Sequence, residues 1–126
     1  MKKEIISSNQ APAAVGPYSQ AVKAEGLLFI SGQIPLDPAT GEIGKGNIQD
    51  QTRQALNNLK AIITAAGTSL DKVVKVTVFL TNMDNFSLVN EVYGEFFPNQ
   101  PPARACVEVS GLPLKAQVEI EAVALT

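Results

Sequence analysis

The 126-residue chain has no histidine, no tryptophan and a single cysteine. Without histidine, and with Cys106 as the lone thiol, the usual zinc and copper ligand sets cannot be assembled. The Ser-His-Asp and Cys-His nucleophilic devices are excluded for the same reason. Cys106 cannot form an internal disulfide, which agrees with a reducing compartment. No apolar run approaches the length that spans a bilayer. The start, Met1-Lys2-Lys3-Glu4-Ile5-Ile6, carries charge without the apolar block of a secretory signal, so a cytoplasmic location is expected. Basic clusters are missing too. A net charge of −2 with scattered lysines argues against a nucleic-acid partner, which calls for a basic face. The glycines are not spaced as a dinucleotide or phosphate loop, so no nucleotide cofactor is expected. Chemistry is left to carboxylate, arginine, tyrosine, hydroxyl, lysine and backbone groups.

A composition of 45% hydrophobic and 17% charged residues fits one folded domain over 1–126 with a real core. The stretch with the most chemistry is Pro101-Pro102-Ala103-Arg104-Ala105-Cys106-Val107-Glu108-Val109. After two prolines, which cannot donate ladder hydrogen bonds, the side chains alternate. Ala103, Ala105, Val107 and Val109 form an apolar face; Arg104, Cys106 and Glu108 form an equipped one. Arg104 is one of two arginines in the chain. A planar fork of donors on a strand suits a carboxylate guest held by parallel hydrogen bonds. The alternative is a surface ion pair, for instance with Glu108.

The remaining elements follow from periodicity and punctuation. Lys2 to Ile6, Ala21 to Ala24 and Leu27 to Ile30 read as strands, the last two joined at Glu25-Gly26. The spacing of Ala55, Leu56, Leu59, Ile62 and Ile63 predicts a helix from Asn47 to Ala66, capped by Asn47 and stopped by Gly67. Leu70 to Thr81 is a strand, with Val74, Val76, Val78 and Leu80 on one apolar face and Val73 and Phe79 on the other. Asp84 is the expected cap of a second helix, running to Phe97, with Phe86, Val89, Tyr93, Phe96 and Phe97 facing inward. A last strand runs from Gln117 to Leu125. The expected order is βββαβαββ: an α+β fold with a mixed sheet and two helices on one face. The last two strands are close enough to pair as an antiparallel hairpin. The uncovered face would carry Val73, Phe79, Val123 and Leu125, and burying it calls for a closed homo-oligomer.

That hairpin would set Arg104 and Cys106 beside Glu119 and Glu121. Arginine could then hold a substrate carboxylate while a glutamate handles a water, or the residues could form only a cross-strand charge pair. Cys106 lacks a base to deprotonate it, so it reads as a small packed residue rather than a nucleophile. Tyr18 is an anchor or a pocket donor. Ser31-Gly32 ends a strand where glycine lets something approach the backbone closely, and Asn90 is either solvated or at an interface.

The segments Ala11-Pro12, Gly16-Pro17-Tyr18-Ser19-Gln20, Ser31-Gly32-Gln33-Ile34-Pro35 and Val76-Thr77-Val78-Phe79 recur in series with Val89-Asn90-Glu91-Val92-Tyr93, Pro102 to Val109 and Val118-Glu119-Ile120-Glu121-Ala122. Together they resemble the Rid family, the RidA-type 2-iminobutanoate/2-iminopropanoate deaminases or reactive-intermediate deaminases. The resemblance implies a chorismate-mutase-like α+β fold and a homotrimer with its sites at the subunit clefts. It implies hydrolysis, without metal or other cofactor, of imines and enamines released by pyridoxal-phosphate enzymes such as threonine dehydratase. By that likeness Arg104 grips the substrate carboxylate and Glu119 positions the attacking water. Tyr18, Ser31, Gly32, Asn90 and Cys106 line the pocket. The chain departs from many relatives at Ser110-Gly111 and at Leu114, where a basic residue is common. Two other functions stay open: a non-catalytic 2-oxo acid sensor or chaperone-like trimer, and an RNA-acting translation inhibitor.

Overall fold

Asn47 starts the first helix because its side-chain oxygen takes the Asp50 N–H at 2.9 Å. In the computed structural model, which describes residues 2–126, this helix, α1, spans Ile48–Ala65. Met1, at the head of the stretch read above as no secretory signal, lies outside the described residues. α1 buries Ala55, Leu56, Leu59, Ile62 and Ile63 on one stripe. Gly67, at φ +81°, closes the helix with a Schellman pair of bonds, Thr68 N–H to Ile63 O and Gly67 N–H to Thr64 O. Lys23 adds its ammonium to the Ala66 carbonyl at 2.9 Å, a cation at the negative end of the helix dipole.

The strands are β1 (Glu4–Ile6), β2 (Ala21–Ala24), β3 (Leu27–Gln33), β4 (Val73–Leu80), β5 (Ala103–Glu108) and β6 (Val118–Leu125), with the second helix, α2 (Phe86–Phe96), between β4 and β5. All six form one mixed sheet in the order β1-β2-β3-β6-β4-β5. The main-element order along the chain is the expected βββαβαββ. Both helices pack with the core side chains of the sheet on one face. No helix among the described residues is long and apolar enough to cross a membrane.

The final hairpin does not form. β6 leaves β5 at the sheet edge and inserts between β3 and β4, antiparallel to both. β5 pairs with β4 in parallel, as a strand-helix-strand crossover requires. The reason lies in burial. Val118, Ile120, Ala122 and Ala124 are all nearly fully buried, which suits a central strand paired on both sides. β5 has no fully buried residue and takes the edge.

Two further readings are corrected. A register irregularity between Val73 and Lys75 turns Val73 into the core and leaves Val74 exposed, reversing their expected faces. The cap before α2 is Asn82, not Asp84: its side chain accepts the Asp84 N–H and opens a 3-10 turn over Met83–Asn85. In α2 itself Val89, Val92 and Tyr93 are buried, while Phe86 stays partly exposed.

The uncovered sheet face carries Phe29, Val107 and Leu125, exposed by 46%, 40% and 45% respectively. Phe79 and Val123 lie half-buried beside them. These apolar side chains lie together on one face rather than scattered singly.

Candidate functional site

Parity along the strands decides where the chemistry points. Arg104 and Cys106 are in register with Val76 and Val78 of β4, both fully buried beneath the helices. Glu119 and Glu121 are in register with Phe79 and Thr77, on the uncovered face. Arg104 and Glu119 therefore project from opposite faces of the sheet. The expectation that they share a face within one chain is overturned, and the cause is the insertion of β6 described above. Two half-sites result.

The first is a cradle for Arg104. Phe86, Asn90 and Tyr93 stand one helical turn apart along α2, at i, i+4 and i+7. Asn90 Oδ1 accepts a hydrogen bond from Arg104 Nη1 at 2.8 Å. The guanidinium carbon lies 4.6 Å from the Tyr93 ring centre and 5.6 Å from that of Phe86. Such stacking is worth roughly 0.5–2 kcal/mol and holds the guanidinium plane. No carboxylate of the described residues pairs with Arg104; the ion pairs are made by Arg53, with Asp50 and Glu95. The alternative partner, Glu108, is occupied by the Met83 N–H at 2.8 Å. The guanidinium is thus oriented, half-buried and without a counter-ion. Cys106 lies alongside, packed against the core. Burial pushes its thiol pKa up, and the nearby Arg104 offsets this only in part. The thiol stays protonated at neutral pH, in keeping with a packing role.

The second half-site is a groove of about 670 Å³ on the uncovered side, lined among others by Tyr18, Ser31, Gly32, Glu119 and Glu121. Here β3 slips register against β6 between Ile30 and Gln33, so Ser31-Gly32 sits in a bulge, a device that re-aims backbone groups beside sites. Ser31 Oγ donates to the Ser19 carbonyl at 2.6 Å, and its N–H to the Gln20 carbonyl at 2.9 Å. Gln20, buried, ties the loop that carries Tyr18 to the strand: its side chain accepts from Ser8 N–H at 2.6 Å and donates to Pro12 O at 2.7 Å. Asn58 of α1 does the same for the far side of the groove, donating to the carbonyls of Ile34 and Leu36. Leu114 closes the lining from the β5–β6 connection, where it and Lys115 hold left-handed backbone at φ 56° and 59°.

Glu119 lies directly over Gly32. A Cβ at that position would come within 2.6 Å of Glu119 Oε2. Burial first, and then the neighbouring Glu121, raise the Glu119 pKa above the ordinary carboxylate value. No hydrogen bond from the described residues engages this carboxylate, so its lone pairs are free for a water or a substrate proton. Because the atoms a new methyl would strike, Oε2, Cδ and Cγ of Glu119, belong to one side chain and none to the backbone, Gly32→Ala is expected to fold with that side chain shifted. It would displace the Glu119 carboxylate, and in any reaction that this carboxylate serves a misplacement near 1 Å costs about a hundredfold in rate. Thermal melts alongside steady-state kinetics check this.

Of the residues singled out in the sequence, Tyr18, Ser31, Gly32 and Glu119 meet in the groove; Asn90, Arg104 and Cys106 meet at the cradle. Sequence reading missed the supports. Tyr93 is core, as its place in the stripe predicts, but its ring and that of the more exposed Phe86 also hold Arg104, and their spacing with Asn90 already marks one helix face. Asn58, a polar residue inside the apolar stripe of α1, and Gln20 offered a similar signal.

Comparisons with known proteins agree with this fold. The endoribonuclease L-PSP family model matches residues 8–126. A RutC family protein of Pyrococcus horikoshii is 59% identical over 97% of this chain and 97% of its own. The 2-iminobutanoate/2-iminopropanoate deaminase of Mus musculus is 46% identical over 98% of this chain and 91% of its own. Among solved structures, a conserved Rid family protein from Yersinia pestis superposes with a TM-score of 0.96 at 48% identity, covering 99% of this chain and 100% of that one. E. coli TdcF with bound serine gives 0.94 at 46% identity, over 98% of both chains. With the family model matched over nearly its whole length and Rid proteins as its structural neighbours, the chain belongs to the endoribonuclease L-PSP, or Rid, family.

Proposed function

We propose that the protein hydrolyses reactive 2-imino acids, 2-iminobutanoate and 2-iminopropanoate among them, to 2-oxo acids and ammonia. The observation that carries this reading is Arg104: a guanidinium held by Asn90, Tyr93 and Phe86, with no carboxylate of its own. Its free edge suits the carboxylate that every 2-imino acid bears. The bound serine in E. coli TdcF, a small molecule with the same carboxylate, supports the class of ligand. The name of the mouse relative supports the reaction.

Because the two half-sites project from opposite sheet faces, a working site needs two copies of the chain. The Arg104 cradle, at the β5 edge of one copy, would meet the Glu119 groove of its neighbour. The apolar uncovered face supplies the contact, and the arrangement we propose is a closed homotrimer. In the reaction Glu119 takes a proton from water as the water oxygen bonds to C2. The C=N π pair moves to nitrogen. That nitrogen gains the proton from Glu119, which gives a carbinolamine. Glu119 then takes the carbinolamine hydroxyl proton and passes it to the amine; the C–N bond breaks as the C=O bond forms, and the 2-oxo acid and ammonia leave. Water is the only co-reactant, and neither metal nor other cofactor is called on. A carboxylate with a raised pKa is the stronger base, and orientation of water against a clamped substrate supplies much of the rate. Enamines of this kind are released by pyridoxal-phosphate dehydratases, and a cytoplasmic setting beside them fits.

The family description favours a second reading, cleavage of RNA. It finds less support in a chain without histidine, with net charge −2. Generating the imines of alanine and 2-aminobutyrate in situ with an amino-acid oxidase separates these readings. The expected result is ammonia release well above the spontaneous rate. Spontaneous kinetics with intact, folded protein would leave a sensor or an RNA-acting protein instead.

A further inference from the structure

We infer that the groove beside Glu119 selects 2-imino acids with extended apolar side chains, and that Leu114 is the residue that sets this preference. The inference rests on the deaminase reading and names its substrate class. The groove measures about 670 Å³ in the single chain, and the neighbour's Arg104 cradle would take up part of it. The polar side chains of the lining are Tyr18, Gln20, Ser31, Gln33, Glu119 and Glu121, of which Gln20 and Gln33 are buried. The rest of the lining is largely apolar: Ala13, Val15, Ile34, Leu36, Pro113 and Leu114. Ile34 and Leu36 follow Gly32 along the chain, so this lining begins where the reacting groups end.

Leu114 is the odd member. It is 63% exposed, in a left-handed backbone conformation (φ 56°, ψ 27°) that a leucine rarely adopts. Lys115, next to it, is held at φ 59°. A large apolar side chain presented to solvent on a strained turn, in the wall of a ligand groove, is what functional strain looks like. An apolar substituent on the substrate would cover it. Burial of apolar surface raises kcat/KM by about fourfold per methylene when contact is complete.

The test compares imines generated in situ from alanine and from leucine, with wild-type protein and with Leu114→Ala and Leu114→Lys. The wild type is expected to prefer the leucine-derived imine. The ratio of the two kcat/KM values should fall on the order of tenfold in Leu114→Lys, and less in Leu114→Ala. Size-exclusion chromatography runs alongside. A wild-type preference for the small imine, or an unchanged ratio in both variants, overturns the inference. So does loss of assembly in Leu114→Ala, which would make Leu114 a contact between copies. Calorimetry with the product acids, pyruvate and 4-methyl-2-oxopentanoate, reads the same preference without turnover. Preference for the longer acid with no acceleration of either imine would sink the deaminase reading and leave the side-chain selectivity standing.

Discussion

Arg104→Lys is expected to lower kcat/KM for a 2-imino acid on the order of a hundredfold while leaving the melting temperature nearly unchanged. Lysine keeps the charge. It cannot keep the geometry, because Asn90 Oδ1 takes one side of the fork and the rings of Tyr93 and Phe86 fix its plane. The free edge then presents two parallel N–H groups, which an ammonium lacks. Arg104→Ala should cost more, since the substrate carboxylate would meet no cation at all. Stability should scarcely suffer in Arg104→Lys, which keeps a cation beside the rings and has no carboxylate partner to lose; Arg104→Ala also gives up the stacking on Tyr93 and Phe86, roughly 0.5–2 kcal/mol. Steady-state kinetics with a thermal melt separate these effects. A Lys variant with unchanged kcat/KM would remove the carboxylate-clamp role.

Glu119→Gln is the second large effect, with an expected loss of about 10²–10⁴ in kcat. The amide matches the acid in size and fits over Gly32, but it cannot take a proton from water. The same substitution should leave the fold as stable at neutral pH, or more so. Burial and Glu121 raise the folded-state pKa above the ordinary value near 4.5, so the fold favours the protonated form. The contribution is fully present below the unfolded value and is lost as pH rises through the raised folded one. Glutamine, always neutral, removes that slope. The proposed mechanism uses the deprotonated form, so activity should rise with pH along a limb set above the usual carboxylate range. Glu121→Gln removes the nearby like charge and should move that limb to lower pH. A limb that stays in place in Glu121→Gln would mean burial alone sets it.

Much of the architecture could be read from residue patterns. The two periodicities, Asn47 and Gly67 at the ends of α1, and the prolines after α2 locate the elements in order. Alternation also separates Arg104 and Cys106 from their apolar neighbours, and Glu119 from Ile120. What alternation cannot say is which strand lies beside which, or which face meets the helices. β5 and β6 look alike on this measure. The number of buried positions tells them apart, and that depends on tertiary packing. The bulge at Ser31-Gly32 and the slip at Val73 were hidden for the same reason, since a one-residue irregularity leaves no mark on composition. The consequence for the site is large. A hairpin would have made it local to one chain; the actual sheet order divides it between two faces.

Mixing two inactive variants tests that division most directly. Arg104→Ala copies keep the Glu119 groove, and Glu119→Gln copies keep the Arg104 cradle. Co-expressed or refolded together in equal amounts, they should form oligomers in which about one quarter of the sites pair an intact cradle with an intact groove, and recover about that share of wild-type activity. Activity no higher than the sum of the two parents, from oligomers shown to be mixed, would contradict a site shared between copies of the chain.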